Sequence, residues 1–353
     1  MKGVLVALSG GVDSGVSAYL VKKEHENCIG VTMRMTAEDD PHFSSVCAAH
    51  FDEDVTCAAD IAHKLDMPFR VFSYADAFKS EVVDRFVSEY FDGLTPNPCI
   101  FCNKHLKFGA LLDTAVELGC DAVATGHYAR IEKSGDRYLL KKSADPQKDQ
   151  TYMLWSLSQY QLAHTLFPLG AMTKSEVREI AAEQGFLNAK RRESQDICFI
   201  VDGDYATFIE SYANKTSPKG TFVDKEGRAL GVHKGLIHYT IGQRKGLGLA
   251  LPAPLYVCEK NVCDNTVVLG TNEDLFTTTF TVRDANWIAF DTPPASFRAA
   301  VKVRYRQNEQ PATVFAEGES VKVVFDTPQR AISAGQSAVF YDGDLVIGGG
   351  IIS

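Results

Sequence analysis

Residues 3–8, GVLVAL, form an unbroken apolar run that ends at a glycine-rich turn, the pattern of a parallel strand buried on both faces. In 14–24, SGVSAYLVKKE, Val16, Tyr19 and Leu20 recur at helical spacing. The alternation continues with a strand near 28–35, a helix through DVTCAADIAHKL, a strand in FRVFSY, a helix from about 76 to 91, and a strand in DAVATGHY. Strands alternating with helices predict a doubly wound parallel-sheet α/β domain over residues 1–204. From about 205 the texture changes to short β-rich runs, GTFVDKEGRALG and LYVCEKNVCDNTVVLG, punctuated by Asp, Gly and Asn, which predict a small β-rich central domain over 205–275. Beyond 276, RAAVKVRYRQ, ESVKVVFDTPQRAISAGQSAVFYDG and DLVIGGGIIS alternate strongly, as strands of a small barrel or sandwich do, and are read as a C-terminal β-barrel domain over 276–353.

A length of 353 residues agrees with two or three domains, and 45% apolar with 23% charged residues describes a globular chain. No apolar run approaches the roughly 18 residues of a membrane span, and MKGVLVALSGG does not build a secretory signal. A cytoplasmic location is therefore expected. There, nine cysteines are expected to be free, metal-bound or catalytic rather than a disulfide framework. The net charge of −9 opposes a nucleic-acid partner only superficially. The first hundred residues carry 16 acidic against 8 basic side chains, and the remaining chain is nearly neutral, which leaves room for basic patches.

SGGVDS, Ser9 to Ser14, joins the first strand to the first helix. Gly10 and Gly11 let backbone N–H groups approach an anion, the helix dipole adds attraction, and Ser9 and Ser14 can donate hydroxyls. Asp13 would repel phosphate and so points to Mg²⁺ held between carboxylate and phosphates. The plain alternative is a strand-to-helix turn with Asp13 or Ser14 as N-cap. The stretch lacks a Gly-Lys-Ser/Thr ending and misses the dinucleotide spacing. It closely resembles the PP-loop of ATP pyrophosphatases, enzymes that adenylate an oxygen and release pyrophosphate.

In TPNPCIFCN, Pro96 and Pro98 favour extended residues before them, and Asn103 is placed as the N-cap of a helix through KHLKFGALLDTAVELG. Cys102 would then sit at a helix N-terminus with Lys104 and Lys107 close behind, a setting that favours thiolate. On spacing alone, a buried or metal-bound Cys99–Cys102 pair carries equal weight, but zinc usually needs a second knuckle and none follows. Cys28, Cys47, Cys57, Cys120, Cys258 and Cys263 are assigned to packing. Cys198, in SQDICFI behind the basic run Lys190, Arg191 and Arg192, stands apart.

Taken with the PP-loop, NPCIFCNKHLKFG, ATGHYAR (124–130), KDQTYML (148–154), SQDICFI, YTIGQRKGLG (239–248), RYRQ (304–307) and GQSAVFYDGD (335–344), the chain resembles tRNA-specific 2-thiouridylases over nearly its whole length. That resemblance implies ATP held by Ala7, Leu8, Ser9, Gly10, Gly11, Val12, Asp13 and Ser14, with Met33 and Gly126 at the adenosine. It implies Cys198 as sulfur carrier loaded by a persulfide donor protein, Cys102 as nucleophile, and a Cys102–Cys198 disulfide closing after transfer. It places Asn97, Pro98 and Cys99 at the target base, His127, Lys148, Asp149 and Gln150 on tRNA, and Arg304, Tyr305 and Gln336 at the anticodon arm. Residue by residue, duller roles stand beside these: His127 as a helix cap, Arg304 and Tyr305 as an outward strand face.

Cys99, Cys102 and Cys198 together could instead ligate an iron–sulfur cluster, as in related PP-loop tRNA thiolases. A third reading is a PP-loop amide-forming synthetase acting on a small metabolite, which would need neither Cys198 nor the C-terminal domain.

Overall fold

The computed structural model describes residues 2–37, 40–43, 45–186, 197–200, 203–250, 253–318 and 320–353, for 45–50 and 317 by backbone alone. The basic run Lys190–Arg192 lies outside the described residues, and so does the side chain of Cys47.

Strands β1 (Val4–Ala7), β2 (Cys28–Arg34), β3 (Phe69–Ser73) and β4 (Ala122–Ala124) are parallel. A hairpin of β5 (Arg130–Ser134) and β6 (Arg137–Lys141) interrupts them before β7 (Thr165–Leu166) completes the sheet order β3-β2-β1-β4-β7. β1 is buried along its length because helices cover both faces, which is why its sequence is continuously apolar. The chain leaves β1 toward β2 on one side and returns to β4 on the other, so the order reverses between β1 and β4. In open α/β sheets the crevice for ligands lies at the carboxyl ends of the strands flanking such a point.

Helix α1 (Val12–Glu24) follows β1, and α2 (Ser45–Lys64) follows β2. α2 starts well ahead of the Asp54 start expected from DVTCAADIAHKL. Helix α3 (75–91) and helix α4 (98–117) pack together, and each contains a π-helical stretch, Lys79–Asp84 and Cys102–Ala110 respectively. Phe78, Val82, Val83 and Phe86 of α3 share one apolar core with Ile100, Phe101, Leu106 and Phe108 of α4. Helix α5 (Lys174–Glu183) opens with a capping box between Thr173 and Glu176.

The central region begins with a helix, Tyr205–Ala213, before its β texture starts. It then forms a four-stranded sheet of β8 (Gly220–Val223), β9 (Ala229–His233), β10 (Tyr256–Asn261) and β11 (Thr266–Gly270). The final strands, β12 (Phe276–Trp287), β13 (Ser296–Lys302), β14 (Gln310–Glu317), β15 (Ser320–Arg330), β16 (Ser337–Asp342) and β17 (Leu345–Ile352), close into an antiparallel barrel through the β12–β17 pairing. Alternation had left barrel and sandwich open; closure removes the sheet edges and makes it a barrel. The β5–β6 hairpin, contributed by the α/β region, adds to this sheet where Lys141 pairs with Leu345. Among the described residues, no helix is long and apolar enough to cross a membrane.

Candidate active site

The carboxyl end of β1 turns sharply at Gly10, whose φ is +70° and whose missing side chain lets α2 pass: a Cβ there would lie 2.6 Å from the Asp54 carbonyl oxygen. Ser14, buried at the start of α1, accepts the Ser9 N–H from 3.2 Å and donates to Gly11 O from 2.9 Å, so the loop closes around its hydroxyl. Gly126, just past β4, abuts the loop backbone, and a Cβ there would sit 2.8 Å from Asp13 C and Ser14 N. Met33 is half-buried at the carboxyl end of β2. The loop, Met33 and Gly126 therefore lie at the carboxyl ends of three neighbouring strands, β1, β2 and β4.

Both carboxylate oxygens of Asp13 accept from Lys174 Nζ, at 2.7 and 2.8 Å, and Oδ1 also accepts the Tyr128 hydroxyl at 2.8 Å. The carboxylate expected beside Mg²⁺ is thus also tied into the protein by an ion pair. Lys174 and Tyr128 were missed by sequence reasoning. The Thr173–Glu176 capping box was readable, but nothing local tied its lysine to a loop 161 residues earlier.

The cysteine stretch also differs from expectation. The helix begins at Asn97, not Asn103: Asn97 Oδ1 accepts the Cys99 N–H at 3.2 Å, with Pro98 at the first helical position. Asn103 is instead buried inside the helix, donating to Met153 O at 3.0 Å. Cys102 consequently lies more than a turn past the N-terminus, where the helix dipole offers little. Burial pushes its thiol above the ordinary cysteine range, with Lys107 opposing and Cys99 reinforcing. Burial thus works against the low-pKa thiol expected from the sequence.

Cys198 joins this pair. It lies in a turn in which the Ile200 N–H donates to Ile197 O. The neighbouring Phe199 is anchored edge-on against Phe78 and Phe86, at ring separations of 5.6 and 5.4 Å. Burial pushes the Cys198 thiol up to about 12, and the Cys102 and Cys99 thiols add to the rise while Lys107 opposes it. Cys99 is raised by burial and opposed by Lys107 as well. Cys99 and Cys198 both expose surface to water. Protein atoms nevertheless crowd around both, so solvent reaches them without fully hydrating them.

The segment 125–128 joins the loop to helix α4. Gly126 and Tyr128 touch Asp13 as described. His127 between them is buried, with Nδ1 2.7 Å from Thr125 Oγ1 and its ring against Phe108 and Phe167 at 5.6 and 5.8 Å. Burial and the Lys107 charge hold it neutral.

Family models match along the chain: one described as tRNA methyl transferase HUP domain over residues 2–202, one as tRNA methyl transferase PRC-barrel domain over 206–271, and one as aminomethyltransferase beta-barrel domain over 277–352. A protein of Clostridioides difficile strain 630 named tRNA-specific 2-thiouridylase MnmA is 49% identical over 356 residues, spanning 99% of this chain and 98% of its own. A protein of the same name from Clostridium kluyveri is 47% identical over 355 residues, covering 99% of both. The chain belongs to the tRNA-specific 2-thiouridylase family. Among solved structures, an NMN synthetase from Francisella tularensis aligns with 62% of the chain and 79% of its own at 14% identity, with a TM-score of 0.32.

The positions that resemblance to this thiouridylase family assigned to tRNA are mostly occupied by internal contacts. Asp149 accepts from Ser143 N at 3.0 Å and Thr151 Oγ1 at 2.6 Å, and Gln150 Oε1 accepts the Tyr128 N–H at 2.8 Å. The Lys148 N–H closes a turn to Asp145 O. One guanidinium nitrogen of Arg304 reaches Ala331 O, Ser333 Oγ and Ile241 O at 2.7, 2.8 and 3.1 Å, bolting the barrel to the central region. Tyr305 packs against Tyr152, with the rings tilted by 45° and their centroids 6.1 Å apart. Gln336 donates to Thr95 O at 2.7 Å and so holds the strand of chain leading into Asn97 and Pro98.

Among the described residues, no three His, Cys, Asp or Glu side chains converge as metal ligands. The Cys99, Cys102 and Cys198 thiols are close enough to influence one another, yet they do not form such a set. Of the cysteines assigned to packing, Cys28 and Cys120 are buried, whereas Cys263 is exposed beside the β10–β11 turn.

Proposed function

We propose that this chain forms 2-thiouridine in tRNA, as an ATP-dependent sulfurtransferase. The reading is supported by one observation: the segment 125–128 lies against the phosphate loop through Gly126 and Tyr128 and against the cysteine-bearing helix α4 through His127 on Phe108, as activation of an oxygen followed by its replacement with sulfur demands.

In this reading ATP lies on Ala7–Ser14, and the 2-carbonyl oxygen of the wobble uridine attacks the α-phosphorus and expels pyrophosphate. The adenylated oxygen can then leave as AMP. Asn97, Pro98 and Cys99 face the flipped base, which must leave its stack for its 2-position to be reached. Cys198 carries sulfur as a persulfide delivered by a donor protein. The Cys102 thiolate attacks Cys198 Sγ, an Sγ–Sγ bond forms, and hydrosulfide departs. Hydrosulfide adds to C2, and AMP leaves with the former oxygen. Two electrons from an external dithiol reopen the disulfide. Magnesium would enter on the ATP phosphates and screen their charge; no protein step is routed through it. Residues 1–204 would perform this chemistry, with 205–275 and 276–353 supporting the tRNA and the Thr95–Asn97 approach.

The test is mass spectrometry of tRNA nucleosides after incubation with ATP, Mg²⁺ and a sulfide source, with and without oxygen. 2-Thiouridine, AMP and pyrophosphate are expected in both. Pyrophosphate release driven by a small metabolite in the absence of tRNA would overturn the reading, and product formed only anaerobically by an iron-containing protein would replace persulfide with cluster chemistry.

A further inference from the structure

Sulfur transfer passes through anions: the attacking thiolate of Cys102, the hydrosulfide it releases, and the sulfur left on Cys198. Burial opposes charge on each of the Cys99, Cys102 and Cys198 thiols. A buried anion needs a counter-charge held close by, because the low-dielectric surroundings that penalise it also strengthen any nearby opposite charge.

His127 cannot provide that charge. It is buried among Phe108, Phe167 and Thr125, and it stays neutral. Lys104, which the sequence placed beside Lys107, faces elsewhere. It lines a 270 Å³ cavity with Arg85, Ile100, Phe101, His105 and Trp155 on another side of the helix. Among the described residues, Lys107 is the lysine whose charge bears on all three thiols.

Helix geometry explains the choice. In a regular α-helix, residues five apart point about 140° away from each other. From Cys102 to Ala110 the helix is π-wound, and the Leu111 N–H closes the stretch by bonding to Leu106 O, five residues back. The i to i+5 repeat stacks residues five apart on one face, which brings Lys107 over Cys102. Gln161 holds the widened turn from outside, its Nε2 donating to Lys104 O and Phe108 O, both at 2.8 Å. The Lys107 ammonium is half-buried, and among the described residues no carboxylate lies within ion-pair distance of it.

We propose that Lys107 is the counter-charge of the sulfur-transfer site, a positioning residue whose ammonium, turned onto the Cys102 face by the π-helix, holds sulfur anions for attack. This rests on the sulfurtransferase reading above for its purpose, although its main test does not require turnover.

The full-length protein is alkylated in parallel with iodoacetate and with iodoacetamide, and each cysteine-containing peptide is quantified by mass spectrometry. A nearby cation favours the anionic reagent, so at Cys102 the iodoacetate-to-iodoacetamide rate ratio should exceed that at exposed Cys263 by about tenfold. Lys107→Met should collapse that excess, and Lys107→Arg should keep most of it. 2-Thiouridine formation should fall about a hundredfold in Lys107→Met while tRNA binding holds. Equal ratios at Cys102 and Cys263 in the unaltered protein overturn the proposal even if Lys107→Met does not fold. An excess unchanged in a folded Lys107→Met overturns it too. Absence of 2-thiouridine from the unaltered protein would instead sink the functional reading and leave the alkylation result standing.

Discussion

Lys174 Nζ lies 2.7 Å from one carboxylate oxygen of Asp13 and 2.8 Å from the other, pinning the first turn of α5 to the first turn of α1. Lys174 is nearly buried, so removing its Asp13 partner weakens the compensation of a charge in the interior. Asp13→Ala should therefore cost about 2 kcal/mol, less than a fully buried pair because Asp13 keeps some contact with water. The protein should still fold but stop forming AMP, since the loop loses its tie to Lys174 and Tyr128. Denaturant unfolding and a tRNA-dependent AMP assay check the two halves, and surviving adenylation would refute the role assigned to the loop.

The three thiols should separate by function. Cys198→Ser and Cys102→Ser should each leave tRNA binding intact and abolish 2-thiouridine, because one removes the sulfur carrier and the other the attacking group. Cys99→Ser should retain activity within about fivefold, since it preserves the backbone N–H that donates to the Asn97 cap. Nucleoside mass spectrometry distinguishes these outcomes, and normal thiolation by Cys198→Ser would defeat the carrier assignment.

His127 makes stability depend on pH on the acid side. Its pKa is depressed in the folded protein by burial first and by Lys107 second. Below the unfolded value of about 6.5 the unfolded chain takes up a proton that the folded chain refuses, so stability should fall as pH drops from 6.5. Thermal melts between pH 7.5 and 5 should show this decline, and His127→Asn should flatten part of it. An identical slope in the variant would remove His127 as the cause.

Gln336 and Thr95 separate two explanations of the same residue. If Gln336 acts through Thr95 O, Gln336→Ala should lower kcat for thiolation and reduce stability by about 1 kcal/mol while tRNA affinity holds. A weakened Kd with unchanged kcat would instead mark a direct contact with the anticodon arm. The Thr95 N–H also donates to Ala334 O at 2.9 Å, so the barrel grips this segment from both of its backbone groups.

Short-range physics was legible along the chain. The apolar run before SGGVDS forms β1, the glycines allow the turn, and α1 follows at once; period-two alternation after 276 becomes six barrel strands. Where two short-range signals competed, the reading failed: Asn97 with Pro98 and Asn103 are both plausible caps, and Asn97 starts the helix while Asn103 is drawn inside to bond Met153 O. That shift moved Cys102 off the helix end and removed the reason for a low pKa. The π-winding that turns Lys107 toward Cys102, with Gln161 bracing it, leaves no comparable mark in the residues 102–110 themselves. Cys198 beside Cys102, Lys174 on Asp13, and the β5–β6 hairpin added to the barrel each join chain segments far apart. Residue types by themselves determined which groups could form a loop, a cap, a thiol or a strand, because those depend on neighbours along the chain. Which charge meets which sulfur was decided only by packing, because burial and Coulomb energy depend on distance in space.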